Sequence, residues 1–301
     1  MKQHELHRVV RAFLSAPLFA ASLVHGPAHA AADSPESAPA ADDGYFANWF
    51  ERVDRAQESQ PHWITPLATV TPRLEQEFRY DQIYQDRPKG ANFTSYGGGK
   101  GLELIPTERT ELIINVPAYQ TLDRPDKPAE RGWADESLLL KYRMLSANEE
   151  NGNYIVTGFL GLSVPTGDEA FTTHHTIVTP TLAAGKGWGS RDEGFDIQST
   201  LGISFPDGDQ GKVGVPTVWN TTLQAHIFQR FWPEIEFSYT HWKDGPNDGK
   251  NQLIVTYGLV YGRIPLGGRS KLILGLGYQT SQATAFTTYD RAWLGTARVT
   301  F

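Results

Sequence analysis

The chain has 301 residues, a net charge of −7, eight tryptophans, twelve tyrosines, fifteen phenylalanines and no cysteine. A net-negative chain without clustered Lys and Arg excludes nucleic acid as a partner, because phosphate neutralisation needs such a cluster. Lack of cysteine excludes disulfide support, so an exported fold must rest on burial or on a closed hydrogen-bond ladder.

Residues 1–30 read as a cleavable signal peptide. Lys2, Arg8 and Arg11 make a basic start, Ala12 to Val24 is apolar, and Ala28-His29-Ala30 is a small-x-small cleavage site. Removing this segment takes away three cations and one anion and shifts the net charge from −7 to −9. No later stretch approaches the ~18 apolar residues of a transmembrane helix. Residues 31–60 divide into a linker rich in Ala, Pro, Ser and acid, which cannot bury a core, and a short amphipathic helix. In Gly44 to Glu58 the helix places Phe46, Trp49, Phe50 and Val53 at i, i+3, i+4 and i+7. Such a helix can cap the periplasmic end of a barrel, lie at the membrane interface or plug a lumen.

Over 61–301 the period changes to two, clearly so from Leu74. In Asn251 to Arg263, Leu253, Val255, Tyr257, Leu259 and Tyr261 share one face, and Gln252, Thr256, Gly258 and Gly262 fall on the other. Twelve such segments run over 72–84, 98–107, 109–121, 133–146, 152–165, 177–187, 193–205, 216–231, 233–243, 250–263, 269–281 and 289–301. The expected connections are short after the second, fourth, eighth (Trp232-Pro233) and tenth segments. They are long and polar after the first, third, fifth, seventh, ninth and eleventh. The one after the sixth, Gly185 to Gly194 (GKGWGSRDEG), is longer than this alternation wants. Short turns on one side and long loops on the other predict an all-β fold: a transmembrane antiparallel up-and-down β-barrel of about twelve strands in a Gram-negative outer membrane, with a short N-terminal periplasmic helix. A soluble sandwich or lipocalin-like barrel also alternates. The signal peptide, the aromatic segment ends and the terminal Phe301 favour the membrane. Expected partners are outer-membrane lipid, small-molecule solutes and the outer-membrane insertion machinery, engaged through the last strand ending at Phe301.

If the apolar faces meet lipid, the polar faces make the lumen. Candidate lining residues are Glu75, Glu77, Arg79, Glu103, Glu111, Lys141, Arg143, Asp196, Gln224, His226, Glu236, Lys271 and Arg298. Such groups must be paired or watered. They can knit a filled interior or select solutes in a pore. Phe46, Trp49, Phe50 and Val53 are the candidate plug or cap. No cofactor or metal site is expected. His174 and His175 are adjacent and point apart on an extended chain. Asp207 to Gly211 has half of a calcium loop without its later Glu. Ser238 and His241 are three apart on one strand and face opposite ways, which argues against a lipid hydrolase.

Four stretches resemble the bacterial outer-membrane family named for the meta pathway of phenol degradation: Gln60 to Asp81, Phe159 to Asp168, Thr179 to Pro206 and Asp248 to Gly268. The resemblance implies an outer-membrane barrel and passive transport of small, often aromatic, compounds. It carries no binding or catalytic residues across. The expected function is therefore a transporter or channel-like barrel and not an enzyme. The alternatives are a closed structural or interaction barrel and an outer-membrane lipid hydrolase.

Overall fold

The computed structural model describes residues 44–98, 100–282 and 286–301. The predicted signal peptide, and the linker up to residue 43, lie outside the described residues.

After a turn at 45–48, helix α1 spans Trp49–Glu58. The strands are β1 Glu77–Arg87, β2 Ala91–Tyr96, β3 Gly101–Thr107, β4 Thr110–Ile114, β5 Tyr119–Arg124, β6 Lys127–Trp133, β7 Glu136–Ala147, β8 Tyr154–Val164, β9 Ile177–Gly189, β10 Gly194–Ile203, β11 Phe205–Pro206, β12 Val215–His226, β13 Phe231–Lys243, β14 Asn251–Gly267, β15 Ser270–Gln282 and β16 Arg291–Thr300. A four-residue helix, α2 (Gln210–Val213), follows β11. β1, β3, β4, β7, β8, β9, β10 and β12 to β16 pair in that order, all antiparallel. β16 returns to β1, from Glu77 opposite Thr300 to Asp86 opposite Arg291, and closes a twelve-strand barrel. Closure leaves no edge in the wall, so its backbone groups need no water. No helix among the described residues is long and apolar enough to cross a membrane.

Three neighbouring wall strands break at one level. β2, β5 and β6 continue β3, β4 and β7 beyond it and pair among themselves and with the far half of β1. Gly98 and Gly101 make the first break, at φ 79° and 65°. A Cβ on Gly98 would stand 2.7 Å from that of Ala118, so only glycine fits. These extensions correct the expected loops after the first and third segments. The polar residues there are strand, joined by tight turns at 88–90 and 125–126. The long connections include 165–176, 207–214 and 244–250, with 286–290 leading into β16, and they mark the loop end. The turn end holds 108–109, 148–153, 190–193, 227–230 and 268–269. The connection after the sixth segment is thus short, because β9 and β10 run on to Gly189 and Gly194. The turn expected at Trp232-Pro233 lies instead at 227–230. Trp232 is buried inside β13 and stacks on His226, with ring centroids 4.6 Å apart. Pro233 sits at the strand's start, beyond the last pair with β12, where its missing N–H is tolerated.

Outward side chains form an apolar band. Leu140, Leu160, Leu182, Leu201, Leu259 and Leu276 are exposed on it. Trp188, Phe195 and Phe231 flank the band toward the turn end, and Tyr84, Trp219, Tyr239 and Trp293 flank it toward the loop end. An exposed apolar belt between two aromatic girdles is a lipid-facing surface.

Candidate functional site: the plugged lumen

Inside the barrel the chemistry is set by a segment that the period-two reading assigned partly to the wall. Residues 60–76 form no regular element. They rise from α1 at the turn end into the lumen, and the return limb leads into β1. Trp63, Ile64, Thr65 and Leu67 are about 1–2% exposed. Ala68 at the tip is exposed, and Val70 is half-buried. The expected first strand over 72–84 therefore starts five residues late. Three prolines, at 61, 66 and 72, keep the segment out of any ladder, so its backbone groups need side-chain partners.

The wall supplies them. On the donor side of the segment, Leu67 N–H donates to Glu234 at 2.9 Å, and Ala68 and Thr69 N–H donate to the two oxygens of Glu236 at 2.7 and 2.8 Å. On the acceptor side, Arg298 donates to the carbonyls of Thr65 and Pro66 at 2.6 and 3.0 Å. Arg79 donates to Pro66 and Leu67, Lys100 to Thr69, Lys141 to Arg73, and Arg263 to His62 and Trp63. Thr157 and Gln198 reach the carbonyls of Pro72 and Ile64. At the tip, the hydroxyls of Thr69 and Thr222 lie 2.8 Å apart. Hydrogen bonds to charged groups are worth about 1.5–3 kcal/mol each when buried, so this set holds the segment as a folded plug.

Two plug side chains sit on glycines of the wall. A Cβ on Gly185 would stand 2.5 Å from the ring of Trp63, and one on Gly258 would stand 2.5 Å from Leu67. Trp63 also donates its indole N–H to Asn153 at 2.9 Å. Glycines inside strands mark such close approaches. They were the available signal for this seat, together with Glu234 on the same face as Glu236.

Most of the predicted lining residues are buried in this arrangement. Glu75 pairs with Arg73 at 2.7 Å, Arg79 with Asp81 at 2.8 Å, and Glu111 with Lys141 at 2.9 Å. Glu77 and Glu103 are opposite each other in register. Asp196 accepts from Gln198, and Gln224 donates to Glu234. His226 lies 2.7 Å from the Ser190 carbonyl, and Arg143 donates to the carbonyl of Ala56 in α1. Lys271 differs: it is exposed at the turn-end rim. There it lines a cavity of about 490 Å³ with Gln57, His62, Arg73, Arg263 and Arg269. Half-buried Phe301 lies at the same rim, its N–H on the Gln76 carbonyl at 3.1 Å.

The predicted apolar stripe of α1 is split. Val53 packs with Ala56, Leu74 and Ile105, and Trp49 leans on that cluster. Phe46 and Phe50 are exposed, so neither of these two candidate plug or cap residues joins that cluster. The helix lies across the turn end, held by Arg55 on Glu108, Arg269 on Asp54 and Arg191 on Glu58. The segment after it, not the helix, enters the lumen. Ser238 points inward, while His241 is on the outer face and bonds Asn251.

No family model matches the chain, and no curated protein matches it. Among solved structures, the COG4313 outer membrane channel from Pseudomonas putida F1 is similar at a TM-score of 0.51 and 12% identity, over 74% of this chain and 92% of that one. The NanC porin is similar at 0.45 and 12%, over 74% and 98%. The KdgM porin is similar at 0.41 and 10%, over 75% and 99%. The likeness to the Pseudomonas putida channel is one of fold: a closed antiparallel barrel.

Proposed function

We propose that this protein is a gated outer-membrane channel for small solutes, closed as folded and opened when residues 60–76 leave the lumen. The observation that carries the reading is the side-chain-held plug inside a closed, lipid-facing wall. Among the described residues the plug shares with the wall one backbone bond, from Phe301 N–H to the Gln76 carbonyl at its foot, and no ladder, so it can leave without unzipping the barrel. Twelve strands stand between the filled eight-strand barrel and the sixteen-strand channel, so removing a plug of this size opens a path. In this reading the turn end is periplasmic, the export signal over 1–30 brings the chain to the membrane, and the strand ending at Phe301 serves insertion.

Single-channel recording in a planar bilayer tests the proposal. The intact protein is expected to be nearly silent. Glu234→Gln with Glu236→Gln weakens three N–H bonds of the plug tip and is expected to give discrete openings. A disulfide between Thr69→Cys and Thr222→Cys, whose hydroxyls are already 2.8 Å apart, is expected to silence that variant until a reductant is added. Silence of the unlatched and reduced protein would refute gating and leave a closed structural barrel.

A further inference from the structure

We propose that the well above the plug tip binds small uncharged hydroxylated solutes of the polyol or sugar type. This rests on the gated-channel reading and names its cargo.

The inward positions change character at the tip. Around and below Ala68 to Val70 they are titratable: Arg79, Lys141, Glu234, Glu236 and Arg298 are all buried against the plug. Toward the loop end, the inward positions of β8, β9, β12 and β13 include Ser163, Thr179, Thr181, Asn220, Ser238 and Thr240, every one half-buried. Partial exposure of a side chain that points into a closed barrel means open lumen beside it. Exposed Ala68 is the floor of that space.

The wall is already arranged as donors and acceptors. Thr179 and Ser204 hydroxyls lie 2.9 Å apart, and Asn220 donates to Thr200 at 3.0 Å. A hydroxyl engaged once keeps further capacity, so a polyhydroxylated ligand can exchange bonds with it. An ionised ligand would shed hydration against this sector without a counter-charge on it, since the inward Arg87, Arg124 and Glu130 of the loop end stand on β1, β5 and β6, with Arg87 over the Phe93 ring and Arg124 paired to Glu130. A flat apolar ring would need a continuous slot. The inward apolar residues Leu139, Ile177 and Val218 are dispersed over β7, β9 and β12, which are not neighbours, and the inward Trp242 of β13 is already met edge-on by Phe286, ring centroids 5.3 Å apart.

The test is saturation-transfer NMR on the full chain in an amine-oxide detergent, with arabinose, ribitol, gluconate and phenol as probes. Transfer to arabinose and ribitol is expected, with none to gluconate. Thr181→Val with Asn220→Leu is expected to cut the transfer to roughly half or less, since it removes two polar partners. Equal transfer in this variant would overturn the proposal, as would a preference for gluconate or for phenol that the substitutions abolish. The readout is binding to a closed barrel, so bilayer silence leaves it standing. Lost transfer beside clear openings of the unlatched protein overturns the well alone.

Discussion

Gly185 shows how one missing Cβ holds a plug. The Trp63 ring occupies the place where a Cβ would stand, at 2.5 Å. Gly185→Ala must push the ring off β9, at a cost of about 1–3 kcal/mol for overpacking. The expected outcome is an intact barrel with a loosened plug, read as faster proteolysis within 60–76 and a red-shifted tryptophan emission. Glu149, in the turn at 148–153, acts at the plug's foot. Burial pushes its carboxyl up, but bonds from the His62 ring and backbone N–H outweigh that and hold it at about 2, below the ordinary 4.5. A depressed carboxylate stabilises above its ordinary value, and that contribution fades as pH falls from 4.5 to about 2. The foot is therefore expected to loosen across that window in hydrogen exchange at residues 62 and 63, and Glu149→Gln to remove the pH dependence. Arg263 carries a residue-scale strain, at φ 61° on a bulge of β14. Its guanidinium is thereby turned to the His62 and Trp63 carbonyls, as strained residues often are where something must be held.

At the scale of elements, the helix and the plug are held by different forces. The ion pairs of α1 are exposed on both partners, with side chains 42–65% exposed for Arg269, Asp54, Arg55, Glu108, Arg191 and Glu58. Such pairs are weak and screened. At about 1 M salt, where the Debye length is roughly 3 Å, α1 is expected to exchange amides faster while the plug and wall keep their protection. Equal loosening of α1 and the plug would show that the helix holds the plug in place. The wall strands were legible because lipid outside and polar lumen inside impose a period of two on every one of them. The plug was not, because a segment buried on all sides has no period. Its prolines and its mixed Trp63, Thr65 and Leu67 run resemble a linker. The same logic explains the late start of β1: Glu75 alternates with Leu74 as a strand would, yet its carboxylate is spent on Arg73 and Thr65. The inward side of the candidate lining residues was read from parity. Their partners were not, since a carboxylate on an inward face looks the same whether it meets water or a backbone amide.

For the whole molecule, the plug joins parts of the chain that are distant in sequence. Arg298 reaches the carbonyl of Thr65 across 233 residues, Glu234 the amide of Leu67 across 167, and Lys141 the carbonyl of Arg73 across 68. The plug also runs directly into β1, which is one half of the seam that closes the wall against β16. The order of assembly follows. While strands are still being added, the plug's partners are incomplete and residues 60–76 have nothing to fold upon. Arg298 on β16 and Arg79 on β1 reach the plug from the two sides of the seam, so both are in place only once it closes. Sealing the cylinder and capturing its contents are then a single late event, and the protein is born shut.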